Sequence, residues 1–324
     1  MIKFFIWSGL ITVLLLSPFV GAVSLEINNI LNSETLSSRI FFDLRIPRVL
    51  FAFFAGVILS LSGLLFQTLF RNALMTPYTL GISSGAVLGA GIAIKLGLGT
   101  LAFGVAAISI FGFLGAMFTV LLLIYLSRFL KGSQKESLLL LGIALSLFYT
   151  SALMIVFYLG TSIQNDMLIR FTMGSLSIIG WQNPIIMGII ASILTFFIYI
   201  YRFELQLLSI SESQAELKGV NTKRVTLILL VVSSFGIGTL VSISGPIGFI
   251  GLIIPHIVAK LYPCSVNNRI LKTALFGGLF LVVCDTITRV LQTQSELPIG
   301  IITALIGGPF FIYLIITRGQ NVKH

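Results

Sequence analysis

Long apolar stretches without regular alternation dominate this sequence of 324 residues. They last roughly 18–25 residues, the length an α-helix needs to cross the hydrocarbon core of a bilayer. A membrane β-barrel would instead show apolar and polar residues alternating along much shorter strands. Charged residues make up 9% of the chain, whereas soluble domains carry about 25%. These features predict an all-α integral membrane protein, since a lipid-embedded backbone must satisfy its own hydrogen bonds.

The apolar stretches divide into about ten predicted transmembrane helices, which we treat as a single domain over residues 1–324. The start of the chain, Lys3 followed by an apolar run, resembles a signal peptide. We interpret it as an uncleaved first helix because many helices follow. The predicted spans are 4–23, 47–69, 79–98, 101–126, 138–159, 184–201, 225–243, 246–262, 271–291 and 298–317. An even number of spans places both termini on one side of the membrane.

The distribution of basic residues predicts the orientation. With the N-terminus inside, fourteen of the 20 lysines and arginines lie on the cytoplasmic side and six lie outside. Cytoplasmic loops of membrane proteins carry such an excess. We therefore predict an N-in, C-in topology, and we attribute the net charge of +10 to these loops and not to nucleic-acid binding. The two longest polar intervals are then 202–224, in the cytoplasm, and 24–46, outside.

The cytoplasmic interval 202–224 contains SESQAELKG, which is typical of a short capped helix. Ser211 is a candidate N-cap with Gln214 three residues later, and Gly219 is a candidate stop. Two interpretations stay open at this point: a solvated connector, or a docking surface for a partner.

Charged residues are rare inside the predicted spans. Asp285 and Arg289 lie four residues apart, so they share a helix face and can form an ion pair. An ion-coupled carrier usually needs an ionisable or broken-helix site near the midplane, and a carboxylate with its own arginine is a weak candidate for one. Cys264 and Cys284 suggest neither a disulfide framework nor a metal site.

Glycine and proline are concentrated in the later stretches of the sequence. SGPIGFIGLIIPH (244–256) predicts either a tightly packed kinked helix or a moving, pore-lining element. His256 has no second ligand nearby, which favours packing or hydrogen bonding over metal binding. In RNALMTPYTLGISSGAVLGAG (71–91) small residues predict a helix-packing face, because a phosphate cradle would need a preceding strand and a following lysine. In ELPIGIITALIGGPFFI (296–312), Gly307-Gly308-Pro309 predicts a break.

RIPR (45–48) precedes the second span on the outer side. The two arginines are either interfacial anchors or a fixed pair of cations that receives carboxylates from an external partner. The residues alone favour neither interpretation.

Six motifs in this order resemble one family, the permease subunits of type II ABC importers, which carry iron–siderophore complexes, haem or cobalamin. The motifs cover nearly the whole chain: RIPR, RN-L-P--LGISSGA, MGS with Trp181 soon after, G-IGFIGLIIPH, D---R and ELPIGI-TALIG-PFF. The chain departs from the family pattern on the cytoplasmic side, at Ala73, Thr76, Ala259, Lys260, Asn267, Asn268 and Arg269.

The resemblance implies a ten-helix subunit of the bacterial inner membrane that binds no cofactor itself. It would pair with a second permease, identical or paralogous, above two cytoplasmic ATPase subunits that hold ATP and Mg²⁺, and it would receive substrate from a periplasmic binding protein. The chain has no nucleotide-binding Gly-Lys-Ser/Thr loop, so it is not expected to be an enzyme. We expect an iron–siderophore complex as substrate, with haem or cobalamin as the alternative and an ion-coupled secondary transporter as a more distant one.

The resemblance also implies roles for residues by position. ATPase coupling falls on Ser211, Gln214, Ala215, Glu216, Leu217 and Gly219. Docking of the binding protein falls on Arg45, Arg48 and Arg289. The cytoplasmic gate falls near Ser133, Gln134, Lys135 and Glu136. Helix packing or the substrate pathway involves Gly81, Gly85, Gly245, Gly248, Gly251, Pro255 and His256.

Overall fold

The computed structural model describes residues 12–21, 35–98, 107–129, 134–291 and 296–321, together with positions 9, 26 and 30. Side chains are described throughout these ranges except at 134–136, 315 and 317–321. We number the α-helices of these ranges from α1. They are α1 Leu36–Phe70, α2 Ile82–Lys95, α3 Ala107–Ser127, α4 Gln134–Tyr158, α5 Ser162–Met173, α6 Gln182–Ile200, α7 Arg202–Ile210, α8 Glu212–Leu217, α9 Thr222–Ser244, α10 Ile250–Leu261, α11 Val266–Val290 and α12 Ile299–Asn321.

Helix α1 forms the centre of the bundle. It packs against α6, α7, α9, α10 and α11, and most of its side chains are buried. Helices α2 and α3 form a second closely packed pair, which α9 joins to α1. The apolar sequence of α1 is therefore surrounded by protein, as expected for a helix that is hydrophobic on all sides.

Nine of the ten predicted spans have a helical counterpart in the described ranges. Of the first, 4–23, the structure describes residues 9 and 12–21, of which 12–16 are α-helical and Ser17–Phe19 form a 3-10 turn. Six helices are long and apolar enough to cross a membrane, whereas α2, α10 and the described part of α12 are shorter. Helix α10 has 12 residues, so it extends only about 18 Å. Such a helix is too short to span a bilayer core of about 30 Å by itself.

The N-terminal end of α1 corrects the predicted boundary of the second span. The helix begins at Leu36, so RIPR lies within it and not in the polar loop 24–46. Ile40–Arg45 is π-helical, and the Ile46 N–H donates to the Phe41 carbonyl five residues back. This wider turn directly precedes Pro47, which has no N–H to continue the normal ladder.

Glycines bring the central helices into close contact, as predicted for the small-residue motifs. A Cβ at Gly63 of α1 would overlap the carbonyl oxygen of Gly251 in α10. A Cβ at Gly85 of α2 would lie 2.8 Å from the carbonyl oxygen of Gly115 in α3. Backbones can approach this closely only where neither residue has a side chain.

Three local predictions differ from the structure. Helix α5 was not expected; Thr161 and Gln164 form a reciprocal capping box at its start. Helix α7 occupies the first half of the interval 202–224, where only the second half was predicted to be helical. Helix α12 continues through Gly307-Gly308-Pro309 without the predicted break, because a proline in a packed membrane helix costs one hydrogen bond and need not end the helix.

Candidate functional site

The loop between α6 and α9, which the charge distribution predicts to be cytoplasmic, folds as two short helices anchored in the core. Leu205 and Leu208 of α7 and Ala215 of α8 are buried, and α7 packs against α1 and α11. These contacts connect the loop mechanically to the central helix. A displacement imposed on the loop would therefore reach the bundle through packed side chains, since packed interiors transmit strain.

The ends of α8 were predicted with mixed success. Gly219 has φ +82° and follows the helix, the Val220 N–H donates to the Ala215 carbonyl, and the Gly219 N–H donates to Glu216. This is the left-handed glycine stop expected at a helix C-terminus. Ser211 precedes the helix but its side chain caps no backbone N–H, because its hydroxyl pairs with that of Ser213 at 2.9 Å.

The outer surface of α8 carries an apolar residue that faces away from the protein. Leu217 is 88% exposed, and its neighbours Gln214 and Glu216 are also exposed. Glu216 accepts a hydrogen bond from the Thr222 hydroxyl at 2.9 Å, which joins α8 to the start of α9. A large apolar side chain beside polar ones on a rigid loop is the pattern of a protein-binding surface.

A non-helical segment of buried backbone, 245–249, separates α9 from α10. Gly245 has φ +70°, and a side chain there would overlap the Phe171 carbonyl. Gly248 has open space around it and lines a cavity of about 360 Å³ together with Met173, Phe249 and Ala304. The segment thus combines close backbone packing at Gly245 with a cavity at Gly248, and its role as a moving or pore-lining element stays a prediction.

Phe249 is one of two non-glycine residues in the described ranges with a left-handed backbone, at φ +67°. Its ring occupies the space that a side chain at Gly307 of α12 would need. The sequence offers no direct signal for this conformation. Backbone strain of this kind is concentrated at sites where the surrounding structure requires it.

The remaining candidates of the pathway group lie at helix contacts. Gly81 has φ +77° at the start of α2 and faces Gly142 of α4. Pro255 is buried within α10. The His256 Nδ1 lies 3.3 Å from the Leu252 carbonyl oxygen. Over the described residues, no group of three or more His, Cys, Asp or Glu could hold a metal ion.

Two of the three predicted docking arginines, Arg48 and Arg289, meet at the other end of the molecule around Asp285. The carboxylate of Asp285 is fully buried and lies 2.9 Å from Arg48 Nε and 3.0 Å from Arg289 Nε. Arg48 also pairs with Glu296 at 3.2 Å. The predicted Asp285–Arg289 pair is present, and Arg48 joins it from α1.

Arg45 and Arg289 bind backbone carbonyls of a short turn near the N-terminus. Arg45 donates to Pro18 and Phe19, and Arg289 donates to Ser17 and Val20. The chain itself thus supplies acceptors for all three arginines. Their role as docking residues stays a prediction, and Arg48, with 14% of its side chain exposed, is the most accessible of them.

The structure describes only part of the predicted cytoplasmic gate. Ser133 lies outside the described residues, and so do the side chains of Gln134, Lys135 and Glu136. The residues predicted to couple to the ATPase and the arginines predicted to lie outside are at opposite ends of the bundle; the side of the membrane that each end faces stays a prediction.

Known proteins with similar sequences cover nearly the whole chain. The chain is 35% identical over 295 residues to a Helicobacter pylori iron chelatin transport system permease protein, covering 90% of this chain and 88% of the relative. It is 34% identical over 323 residues to the vitamin B12 import system permease protein BtuC of Yersinia enterocolitica, covering 97% and 93%.

A solved structure has the same fold. It is a metal-chelate type ABC transporter in an inward-facing conformation, with a TM-score of 0.84 and 28% identity over 96% of this chain and 99% of that one. The model of the FecCD transport family matches residues 9–317. The chain therefore belongs to the FecCD transport family, and it is a multi-pass membrane permease subunit of an ABC importer and not itself an ATPase.

Proposed function

We propose that this permease moves an iron–siderophore complex from a periplasmic binding protein into the cytoplasm. The observation that carries the ATP-driven mechanism is the loop 202–224, anchored by Leu205, Leu208 and Ala215 and presenting Leu217 outward, in a chain of the FecCD family. An importer without its own nucleotide site needs a surface through which ATPase subunits act on the helices. In our proposal that surface is 202–224, and ATP and Mg²⁺ bind to the ATPase subunits.

The proposed mechanism is alternating access in a pair of permeases, identical or paralogous. Closure of two ATPase subunits moves the loops 202–224, and the helices α2, α4, α10 and α12 rearrange to release substrate inward. The short α10 and the buried non-helical segment before it support this assignment, because neither continues as a full membrane span. Substrate contacts along the pathway are weak in this proposal, since the binding protein supplies the specificity.

Relatives named for an iron chelate and for vitamin B12 are 35% and 34% identical to this chain, so identity does not separate them. Haem or cobalamin is the alternative. An ion-coupled mechanism finds no support at Asp285, because two arginines neutralise its buried carboxylate.

The test is uptake by proteoliposomes that contain the permease, its ATPase and its binding protein. The probes are hydroxamate and catecholate siderophores loaded with radioactive iron, haem, and cobalamin. We expect ATP-dependent accumulation of at least one iron–siderophore probe and background accumulation of the other two. Uptake of haem or cobalamin alone would contradict the substrate assignment, and uptake driven by an ion gradient without the ATPase would contradict the mechanism.

A further inference from the structure

A cationic cavity lies at the cytoplasmic end of α1, beside the loop 202–224. It has a volume of about 280 Å³, and its polar lining includes Gln67, Arg71, Ser209, His256 and Arg269. These residues come from α1, its C-terminal end, α7, α10 and α11, so four helices meet there. Among the described residues, no aspartate or glutamate lines the cavity, so its two arginines give the lining a positive charge.

The two arginines are the groups in this cavity whose donors remain available. Arg71 and Arg269 form no ion pair with any carboxylate of the described residues, and Arg269 Nε is buried without a hydrogen-bond partner there. By contrast, Gln67 Nε2 donates to the Gly251 carbonyl at 3.0 Å, and the Ser209 hydroxyl donates to the Gln206 carbonyl at 2.6 Å. A buried guanidinium N–H without an acceptor is costly, so an anionic ligand would be favoured here.

The backbone of Arg71 provides a second, independent observation. Arg71 has φ 49° and ψ 32°, the left-handed region. The Asn72 N–H donates to the Gln67 carbonyl, and the Arg71 N–H donates to the Thr68 carbonyl. Arg71 therefore occupies the position at the end of the helix where glycine is preferred. A side chain there costs free energy that glycine avoids. An arginine at this position points to a role for its guanidinium group.

The position of the cavity indicates where its ligand comes from. Helix α1 is surrounded by five other helices, so its end lies beneath the centre of the bundle and not at its lipid-facing perimeter. Ser209 belongs to the last turn of α7, which places the cavity next to the α8 surface that exposes Leu217. A cytoplasmic protein bound to that surface can reach the cavity, whereas a phospholipid headgroup would have to leave the membrane edge.

We propose that the cavity receives a carboxylate side chain of the ATPase subunit, with Arg71 and Arg269 as its binding residues. The inference rests on the proposed function, in which the ATPase docks on 202–224. The planar guanidinium groups suit paired hydrogen bonds to a carboxylate. The apolar α8 surface and this cationic cavity would form two adjacent parts of one interface, apolar contact supplying affinity and charge supplying orientation.

The experiment measures the dissociation constant between the ATPase and the permease in lipid nanodiscs as a function of salt. The variants are Arg71→Gly, Arg269→Gln and the double variant. Glycine removes the guanidinium while suiting the left-handed backbone, so folding is preserved. We expect each single variant to weaken association about threefold to tenfold, with a flatter salt dependence. The control is Arg170→Gln, an exposed arginine of α5 that pairs with Asp166, with no expected change.

Each outcome decides between the proposals. If wild-type permease binds the ATPase and both cavity variants bind it equally well at low salt, the cavity inference is wrong and the proposed function stands. If wild-type permease does not bind the ATPase and shows no ATP-dependent uptake, the proposed function itself fails. If the variants lose only co-purified anionic phospholipid while ATPase affinity is unchanged, the cavity is a lipid site and our assignment is overturned.

Discussion

At the scale of single residues, the cluster around Asp285 shows how much depends on contacts between distant parts of the chain. The Asp285–Arg289 pair follows from a spacing of four residues, and the sequence predicted it. Arg48 joins the same carboxylate from a position 237 residues away. Arg45 and Arg289 then bind the turn at 17–20. No local sequence pattern predicts these partners, because they depend on how α1 packs against α11.

The buried carboxylate gives a stability prediction. Asp285→Asn removes the negative charge that compensates Arg48 and Arg289, so both guanidinium groups would face a neutral amide. We expect a loss of about 3–5 kcal/mol in the free energy of unfolding, measured by denaturation in detergent micelles. Asp166→Asn is the matched control, because Asp166 pairs with Arg170 on the exposed surface and should cost less than about 1 kcal/mol. Equal effects of the two substitutions would contradict the role of the buried cluster.

At the scale of helices, glycine positions set how closely the central elements approach. The motif 244–256 predicted either a tightly packed kinked helix or a moving, pore-lining element, and the structure shows close packing at one glycine and open space at another. Gly251 contacts α1 through Gly63, whereas Gly248 borders open space. Sequence alone cannot separate the two glycines, because both stand in the same apolar context.

Gly63, which contacts Gly251, and Gly248, which borders open space, give a matched pair of substitutions. Gly63→Ala would force α1 and α10 apart, since the new Cβ meets backbone and not a flexible side chain. We expect a loss of about 1–3 kcal/mol in stability, the usual range for overpacking. Gly248→Ala should leave the free energy of unfolding nearly unchanged, as there is nothing within 4 Å of the new atom. Comparable stability of both variants in the same denaturation assay would show that the α1–α10 contact is looser than described.

The helix α8 gives a prediction about coupling. Leu217→Asp places a charge on an exposed position, so the permease should fold and insert normally. We expect loss of ATPase association and of ATP-dependent uptake, because the apolar contact at the centre of the proposed interface is removed. Ile163→Asp is the control, an exposed apolar residue on α5 at the other end of the molecule. Unchanged ATPase association in Leu217→Asp would exclude this residue from the interface.

At the scale of the whole molecule, the structure separates two chemically distinct ends. Arg71, Ser209 and Arg269 meet at one end, and Arg48, Asp285 and Glu296 meet at the other. The charge count had assigned Arg71, Lys218 and Arg269 to the cytoplasm and Arg45, Arg48 and Arg289 to the outside. The packing groups these residues in the same way, which the loop charges alone could not establish.

The two native cysteines test this orientation. Cys264 lies between α10 and α11 and is half-buried, whereas Cys284 is buried within α11. A membrane-impermeant maleimide should label Cys264 in inverted vesicles and not in right-side-out vesicles, and Cys284 only after unfolding. The Cys264→Ser protein is the control and should remain unlabelled while folded. Labelling of Cys264 from the outside would reverse the topology.

The sequence by itself determined the fold class, the approximate spans and the family, because these depend on local hydrophobicity and on motif order; the orientation stays a prediction from the charge in loops. The tertiary structure decided which helices are too short to cross alone, and it placed RIPR inside α1. It also brought Arg48 to Asp285, and Arg71 and Arg269 to one cavity. Those features arise from contacts between residues far apart in the chain, and their geometry depends on packing that no local pattern encodes.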